Sequence, residues 1–369
     1  MRMISKGRDF FRFVGNEWQR YRARPLKVLY NWLYAYLVRK FSPAEIHLLG
    51  LADPSFSFRT HYNTISKEMA DRFYMRKIAR SHLCMVGDKS IFYQLCRNYG
   101  LPIPQIYGVY DIEGGWDEDG QPLVSQSDWS EFISRKLPQE TLVKLSLGLL
   151  GQGIKLLHKT PEGDVVYGDE KYSLFGFLEK LDQECRKEDF ELDLMSRAPQ
   201  KAIFQERLSN HRAITELTGF TMLQTVRVCT CLTAGGDVEI LFSFFKLAGE
   251  EGLADAFNAG KTGNSLAQLE LQSGKLVRVR RMNLQVGYLE DIDCHPKTGM
   301  RFADFRIPYP QDIIDLAQKA ARRFLPHECL GWDIAITDAG PVLLEGNAVW
   351  TPMAPFSLPK DRLKAHGLI

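Results

Sequence analysis

The chain has 369 residues, 45% of them hydrophobic and 25% charged, with 47 Lys+Arg against 45 Asp+Glu. That balance excludes a disordered tail, a collagen-like repeat and a membrane-embedded chain, and a net charge of +2 gives no reason to expect a nucleic-acid partner. The charge is uneven, however: residues 1–40 carry ten Lys/Arg and two acids, a local net of +8, which leaves −6 for the remainder.

Residues 1–80 read as a helical, basic N-terminal region with interleaved aromatics (Phe10, Phe11, Trp18, Tyr21, Tyr30, Trp32, Tyr34, Tyr36). Two readings stand open. Such helices either lie on an anionic membrane surface or a partner protein, or pack their aromatics on the body and solvate their arginines. The apolar stretch Leu26–Val38 is interrupted by Lys27 and Asn31 and falls short of the ~20 residues that span a bilayer. No secretory signal is expected, since no apolar run precedes a small-residue cleavage site. The seven cysteines form no CxxC, so a reducing, cytoplasmic setting follows. Cys229 and Cys231, two apart in an apolar run, read as core packing.

From Asp88 the pattern sharpens. Asp88 caps a predicted helix with Ile91, Phe92, Leu95, Cys96 and Tyr99 on one face, stopped by Gly100 and Pro102. Residues 113–122 read as a turn-rich loop. A strand at Leu142–Lys144 follows, then a loop holding Gly148, Gly151 and Gly153, and a strand at Ile154–Leu157. A helix-rich polar segment runs to about residue 200. Strands are predicted at Ala202–Gln205, Gln224–Leu232, Val238–Leu247 and Leu276–Arg281, and a helix at Pro310–Leu325 with Ile313, Ala317, Ala320 and Phe324 on one face. The layout is α+β.

The last strong pattern is GWDIAITDAGPVLLEGN (331–347): two apolar strands around Asp338-Ala339-Gly340, read as a three-residue hairpin loop. With Thr337 opposite Pro341, Asp333 faces Glu345, Asn347 shares their face, and Ile334, Ile336, Val342 and Leu344 fill the other. Facing carboxylates repel, so either a cation sits between them or they splay into solvent; three hard oxygen ligands suit Mg²⁺. Ala259-Gly260-Lys261-Thr262 mimics a P-loop end but lacks the first glycine, Asp255 standing there.

Lys89 after Gly87-Asp88, Lys144 before the glycine loop, Gln205-Glu206-Arg207-Leu208, Gln224-Thr225-Val226-Arg227-Val228-Cys229-Thr230 and Asp333…Glu345-x-Asn347 together resemble the ATP-grasp superfamily in order and spacing. More narrowly they are similar to the sugar-transfer-associated ATP-grasp family, relatives of α-L-glutamate ligases, over about residues 40–357. The resemblance implies two α+β subdomains clamping ATP: a small N-terminal part at 81–138, a lid subdomain at 139–210 and a C-terminal subdomain with the Mg²⁺ site at 211–369. It implies that Lys89 and Lys144 contact the phosphates under a Gly148–Gly153 lid. It also implies that Gln205 and the segment Glu206, Arg207 and Leu208 bind adenine with His211 nearby, and that Asp333, Glu345 and Asn347 hold Mg²⁺. Arg227, with Lys246, would stabilise the transferred phosphoryl group. Two features depart from the family: a helical start where a small βαβ domain is usual, and a loop at Asp255–Gly263 that only loosely follows the Asp-Asn-x-x-x-Gly-Gly type.

The expected activity is ATP-dependent ligation of a small-molecule carboxylate to an amine or thiol through an acyl phosphate. The alternatives are a kinase acting on a hydroxyl, or a nucleotide-binding scaffold docked by residues 1–40 at the inner face of the membrane to a polysaccharide or peptidoglycan assembly.

Overall fold

A computed structural model describes residues 15, 17–18, 20–21, 24–56, 64–148, 153–186, 200–253, 255–257, 262–285, 287–350 and 364–367. Among these, the basic N-terminal region forms helices α1 (Pro25–Leu33, continued by a π-helical turn Tyr34–Val38), α2 (Pro43–Leu49) and α3 (Lys67–Lys77). Proline at the first turn of α1 and α2, and a reciprocal Ser42/Glu45 capping box on α2, account for where two of them start. A short turn, α4 (Cys84–Gly87), leads into α5 (Lys89–Asn98), capped by Asp88, whose carboxylate accepts from the Ser90 N–H.

The next strands are β1 (Ile106–Tyr110), β2 (Gly115–Asp117), β3 (Pro122–Leu123), then after helix α6 (Gln126–Glu131) β4 (Glu140–Leu145), β5 (Lys155–Lys159), β6 (Val165–Tyr167), β7 (Glu170–Tyr172) and β8 (Ala202–Gln205). They form one antiparallel sheet in the order β3-β2-β1-β8-β4-β5-β6-β7. Two expectations are corrected here. Residues 113–122 contain β2 and the start of β3, and the segment predicted to be helical up to residue 200 contains β6 and β7 before its helix α7 (Leu174–Cys185). In both places the strands are only two or three residues long, too short for a period-2 pattern to register. The division expected at 138/139 is also bridged, because β8 hydrogen-bonds β1 on one side and β4 on the other.

The second sheet is built from β9 (Thr225–Leu232), β10 (Val238–Leu247), β11 (Ser265–Glu270), β12 (Lys275–Asn283), β13 (Tyr288–Asp291), β14 (Cys329–Thr337) and β15 (Gly340–Asn347). Its order is β13-β12-β11-β10-β9-β14-β15, antiparallel throughout. Helix α8 (Arg212–Thr218) precedes it, and α9 (Pro310–Arg323) covers one face. Ile313, Ala317, Ala320 and Phe324 lie fully buried against Trp332, Ile334 and Ile336 of β14. That leaves the alternate residues of β9 and β14 for the opposite face. The core reaches from α5 across both sheets, with Phe92 and Cys96 packed among Ile203 and Val228. The N-terminal helices close the far edge: Val28, Trp32, Ala35 and Ile46 pack on Met282 and Leu289 of the second sheet.

Cys231 stands directly opposite Cys329 on β14, and the two are joined by a disulfide, whereas Cys229 is a buried free thiol. Both cysteines are buried in one apolar cluster, as expected, and the disulfide at Cys231 is an addition to that reading.

Candidate active site

The β14–β15 hairpin differs from expectation at its turn and agrees at its functional end. Thr337 pairs with Gly340, not Pro341, so the loop is the two residues Asp338 and Ala339, and Leu343, not Val342 or Leu344, is the fully buried residue of β15. A bulge between Asp333 and Ile334 shifts the register by one and brings Asp333 back opposite Glu345. The turn is one residue shorter than the sequence predicts, and the bulge restores that residue.

Arg227 on β9 is paired with Asp333 across the other edge of β14. Its guanidinium donates Nε–H to Oδ1 and Nη2–H to Oδ2, the latter at 2.6 Å, a fork-to-carboxylate contact that fixes both side chains. Lys246 Nζ lies 3.2 Å from Asp333 Oδ2 and 3.3 Å from Asp255 Oδ1, while Asp255 Oδ2 accepts from the Thr225 amide and hydroxyl. Two cations and two anions thus alternate in a buried row. Burial alone would raise the Asp333 pKa, but the Arg227 and Lys246 charges and their hydrogen bonds hold it down to about 2. Asp255 moves the other way: burial pushes it up, opposed by Lys246 and reinforced by Asp333. Gly331 permits the row. A Cβ there would come within 2.8 Å of Trp350 Cβ and 3.2 Å of Arg227 Cδ, so any side chain would force Trp350 to shift and crowd the arginine.

The first sheet contributes a second cationic group. Lys89, at the start of α5, donates from Nζ to the Gly148 carbonyl, lies 3.9 Å from Glu345, and bonds through its own N–H to the Ser146 carbonyl. Lys144 on β4 donates to the Tyr93 hydroxyl, which donates to the Leu344 carbonyl at 2.9 Å and lies 3.3 Å from Gln205 Oε1. Tyr93 therefore ties the lysine strand of one sheet to the carboxylate hairpin of the other. Burial, then the neighbouring Lys89 charge, lowers the Lys144 pKa to about 7, and burial keeps Tyr93 un-ionised. A cleft lined by Tyr93, Arg97, Trp116, Glu118 and Ile203 adjoins this point.

The hinge segment is only partly where adenine recognition would need it. Gln205 is buried on β8 beside Tyr93, and Leu208 is half-buried. The Glu206 amide donates to the Gln105 carbonyl, and Glu206 Oε2 accepts from the Gln105 amide, so its polar groups are already engaged. Arg207 is exposed and pairs with Glu140. His211 caps α8, accepting from the Ala213 N–H, and its own backbone N–H bonds the Ile336 carbonyl beside the Asp338 turn. The bonded residue, Ile336, lies three positions along β14 from Asp333, about 10 Å at ~3.3 Å per residue. Gly148 and Gly153 flank the loop, Gly153 with a positive φ of 74°, while Gly151 lies outside the described residues.

A divalent cation is testable against these groups. Among the described residues no three His, Cys, Asp or Glu side chains converge in the manner of a metal cage. The donor set is instead two carboxylates and an amide. A carboxylate offers about four acceptor positions, and Asp333 spends three on Arg227 and Lys246. Glu345 is 29% exposed with its nearest cation 3.9 Å away, and Asn347 stands two residues along the same strand. Hard oxygen donors of this kind fit Mg²⁺, which keeps several waters and takes only one or two carboxylates. Sequence reasoning missed Tyr93, which looks like a core aromatic, and Asp255, whose only signal was its place at the head of an atypical loop.

The sequence family described as sugar-transfer associated ATP-grasp matches residues 68–366. No curated protein matches the sequence. Among solved structures, the biotin carboxylase domain of Hydrogenobacter thermophilus 2-oxoglutarate carboxylase is 12% identical with a TM-score of 0.42, over 77% of this chain and 46% of that one. D-alanine–D-alanine ligase from Bacillus anthracis is 12% identical with a TM-score of 0.36, over 77% and 63%, and an L-amino acid ligase from Bacillus licheniformis is 9% identical with a TM-score of 0.36, over 72% and 40%. The chain spans less than two thirds of the length of each.

Proposed function

The chain belongs to the sugar-transfer associated ATP-grasp family and has the ATP-grasp fold, and from that premise we propose that it is an ATP-dependent ligase that activates a carboxylate as an acyl phosphate. The observation that carries this is the convergence of Lys89 from helix α5 and Lys144 from the first sheet with Arg227, Lys246, Asp333 and Glu345 from the second.

In this reading Lys89 and Lys144 bind the ATP phosphates under the Gly148–Gly153 loop, and the segment from Gln205 to Leu208 borders the adenine. Asp333, Glu345 and Asn347 would hold Mg²⁺, which supplies charge neutralisation between the phosphates. Arg227, fixed by Asp333, and Lys246 offset negative charge on the phosphoryl group in transit. A carboxylate oxygen of the substrate attacks the γ-phosphorus, the bond to the β–γ bridging oxygen breaks, and ADP leaves. An amine or thiol then adds to the acyl carbon, gives its proton to a phosphate oxygen and expels inorganic phosphate. Chemistry of this kind needs positioning and electrostatics more than a base.

The last point favours a ligase over a kinase. A hydroxyl acceptor must give up a proton, whereas a carboxylate is already ionised at neutral pH. Asp333 is held to about 2 by the Arg227 and Lys246 charges, so it is not placed to receive a proton. The test is a screen of carboxylates with ATP, Mg²⁺ and hydroxylamine, which traps acyl phosphates. Hydroxamate together with ADP and phosphate supports the ligase. ADP accompanied by a stable phosphoester favours the kinase.

A further inference from the structure

Helix α1 and its π-helical extension, Pro25–Val38, are apolar on two opposite faces. Val28, Trp32 and Ala35 pack against the second sheet, and Asn31 donates to the Asp53 carbonyl on that same buried side. Leu26, Leu29, Tyr30, Leu33 and Leu37 recur at the helical interval on the other side, 82, 41, 60, 41 and 57% exposed. A contiguous stripe of large side chains in water is unusual for a protein that has already buried a core, and marks a contact surface.

The surrounding charge identifies the contact. Between Glu17 and Glu45 there is no acidic residue, while six Lys/Arg occur. Two of these are engaged by the body, Arg39 with the Thr64 carbonyl and Arg20 over the Tyr288 ring, but Arg24, Lys27 and Lys40 are exposed beside the stripe. We propose that this face docks on an anionic lipid bilayer, the helix lying in the plane of the interface with its leucines in the acyl boundary and its tyrosines and basic groups among the headgroups. The helix is too short to span, since 14 residues cover about 21 Å. A second copy fits less well. A two-fold contact sets each patch against its own image, bringing Arg24 and Lys27 against like charges with no acid in the segment to offset them.

The test is flotation of the full chain with vesicles of phosphatidylcholine alone and of phosphatidylcholine mixed with phosphatidylglycerol. The wild type floats with the anionic vesicles, and more weakly as salt is raised. Leu33→Glu with Leu37→Glu, both at exposed positions and checked by thermal melting, loses at least about tenfold in partitioning, because two apolar contacts with the acyl region are replaced by charges. Lys27→Glu weakens binding to anionic vesicles alone. Equal flotation of the double variant, no flotation of the wild type, or a wild-type dimer in sedimentation velocity that the double variant abolishes would each overturn the proposal.

Discussion

Arg227 and Asp333 face each other on neighbouring antiparallel strands, and a guanidinium–carboxylate fork closes the gap between them with Lys246 on the carboxylate's far side. The pair orders the second sheet's share of the site, and it is buried, so removing either partner strands a charge. Asp333→Ala is expected to lower ADP release by at least about 10²-fold and to destabilise the fold by about 3–5 kcal/mol. Arg227→Met should show the same rate loss. In the double variant the stability losses should be well below additive, read by urea denaturation of all four proteins.

With Lys144 on the ATP phosphates as proposed, nucleotide binding would be proton-linked. The folded pKa of Lys144 is near 7, so at pH 8 the free protein holds it mostly neutral. Phosphate oxygens favour the charged amine, so ATP binding at that pH takes up close to one proton. Calorimetric titration in two buffers of different ionisation enthalpy measures the uptake, which should vanish in Lys144→Met.

The same shift has a sign for stability. Between pH 7 and about 10.5 the unfolded chain protonates this lysine and the folded chain does not, so its contribution to stability rises with pH across that window and its cost is full below 7. Lys144→Met should therefore stabilise the unliganded protein at pH 6, by about 2 kcal/mol, and do so less at pH 10.

Tyr93→Phe removes one oxygen that serves Lys144, Gln205 and the Leu344 carbonyl. The expected cost is about 1–3 kcal/mol from buried groups left unsatisfied. Because Lys144 loses its anchor, the KM for ATP should rise more than kcat falls. A kcat loss with unchanged KM would place Tyr93 outside phosphate binding.

His211→Ala is the contrasting case. As a helix cap it should cost about 0.5–2 kcal/mol of stability and leave turnover within about twofold.

Much of this site was legible in the primary sequence because strands and caps announce themselves. The capped start of α5, the apolar face of α9 and the carboxylates of the last hairpin all follow from spacing, and the predicted facing of Asp333 and Glu345 survived a wrong turn because a one-residue bulge cancelled it. What stayed hidden depends on tertiary contact. Nothing local distinguishes Tyr93 from its neighbours Phe92 and Cys96, and its role exists only because β4, β8 and β15 meet over it. His211 is the converse case, since a polar residue after the hinge reads equally as ligand or cap, and the structure shows the cap. The uneven charge likewise becomes meaningful only when Leu26, Tyr30, Leu33 and Leu37 are seen to face outward.

The most direct test of the account follows oxygen. Turnover of a carboxylate found in the hydroxylamine screen, labelled with ¹⁸O in both carboxylate positions, should deliver one labelled oxygen to the inorganic phosphate released, because the acyl phosphate keeps the substrate oxygen bridging to phosphorus when the amine expels phosphate. Unlabelled phosphate from the same turnover would contradict carboxylate activation.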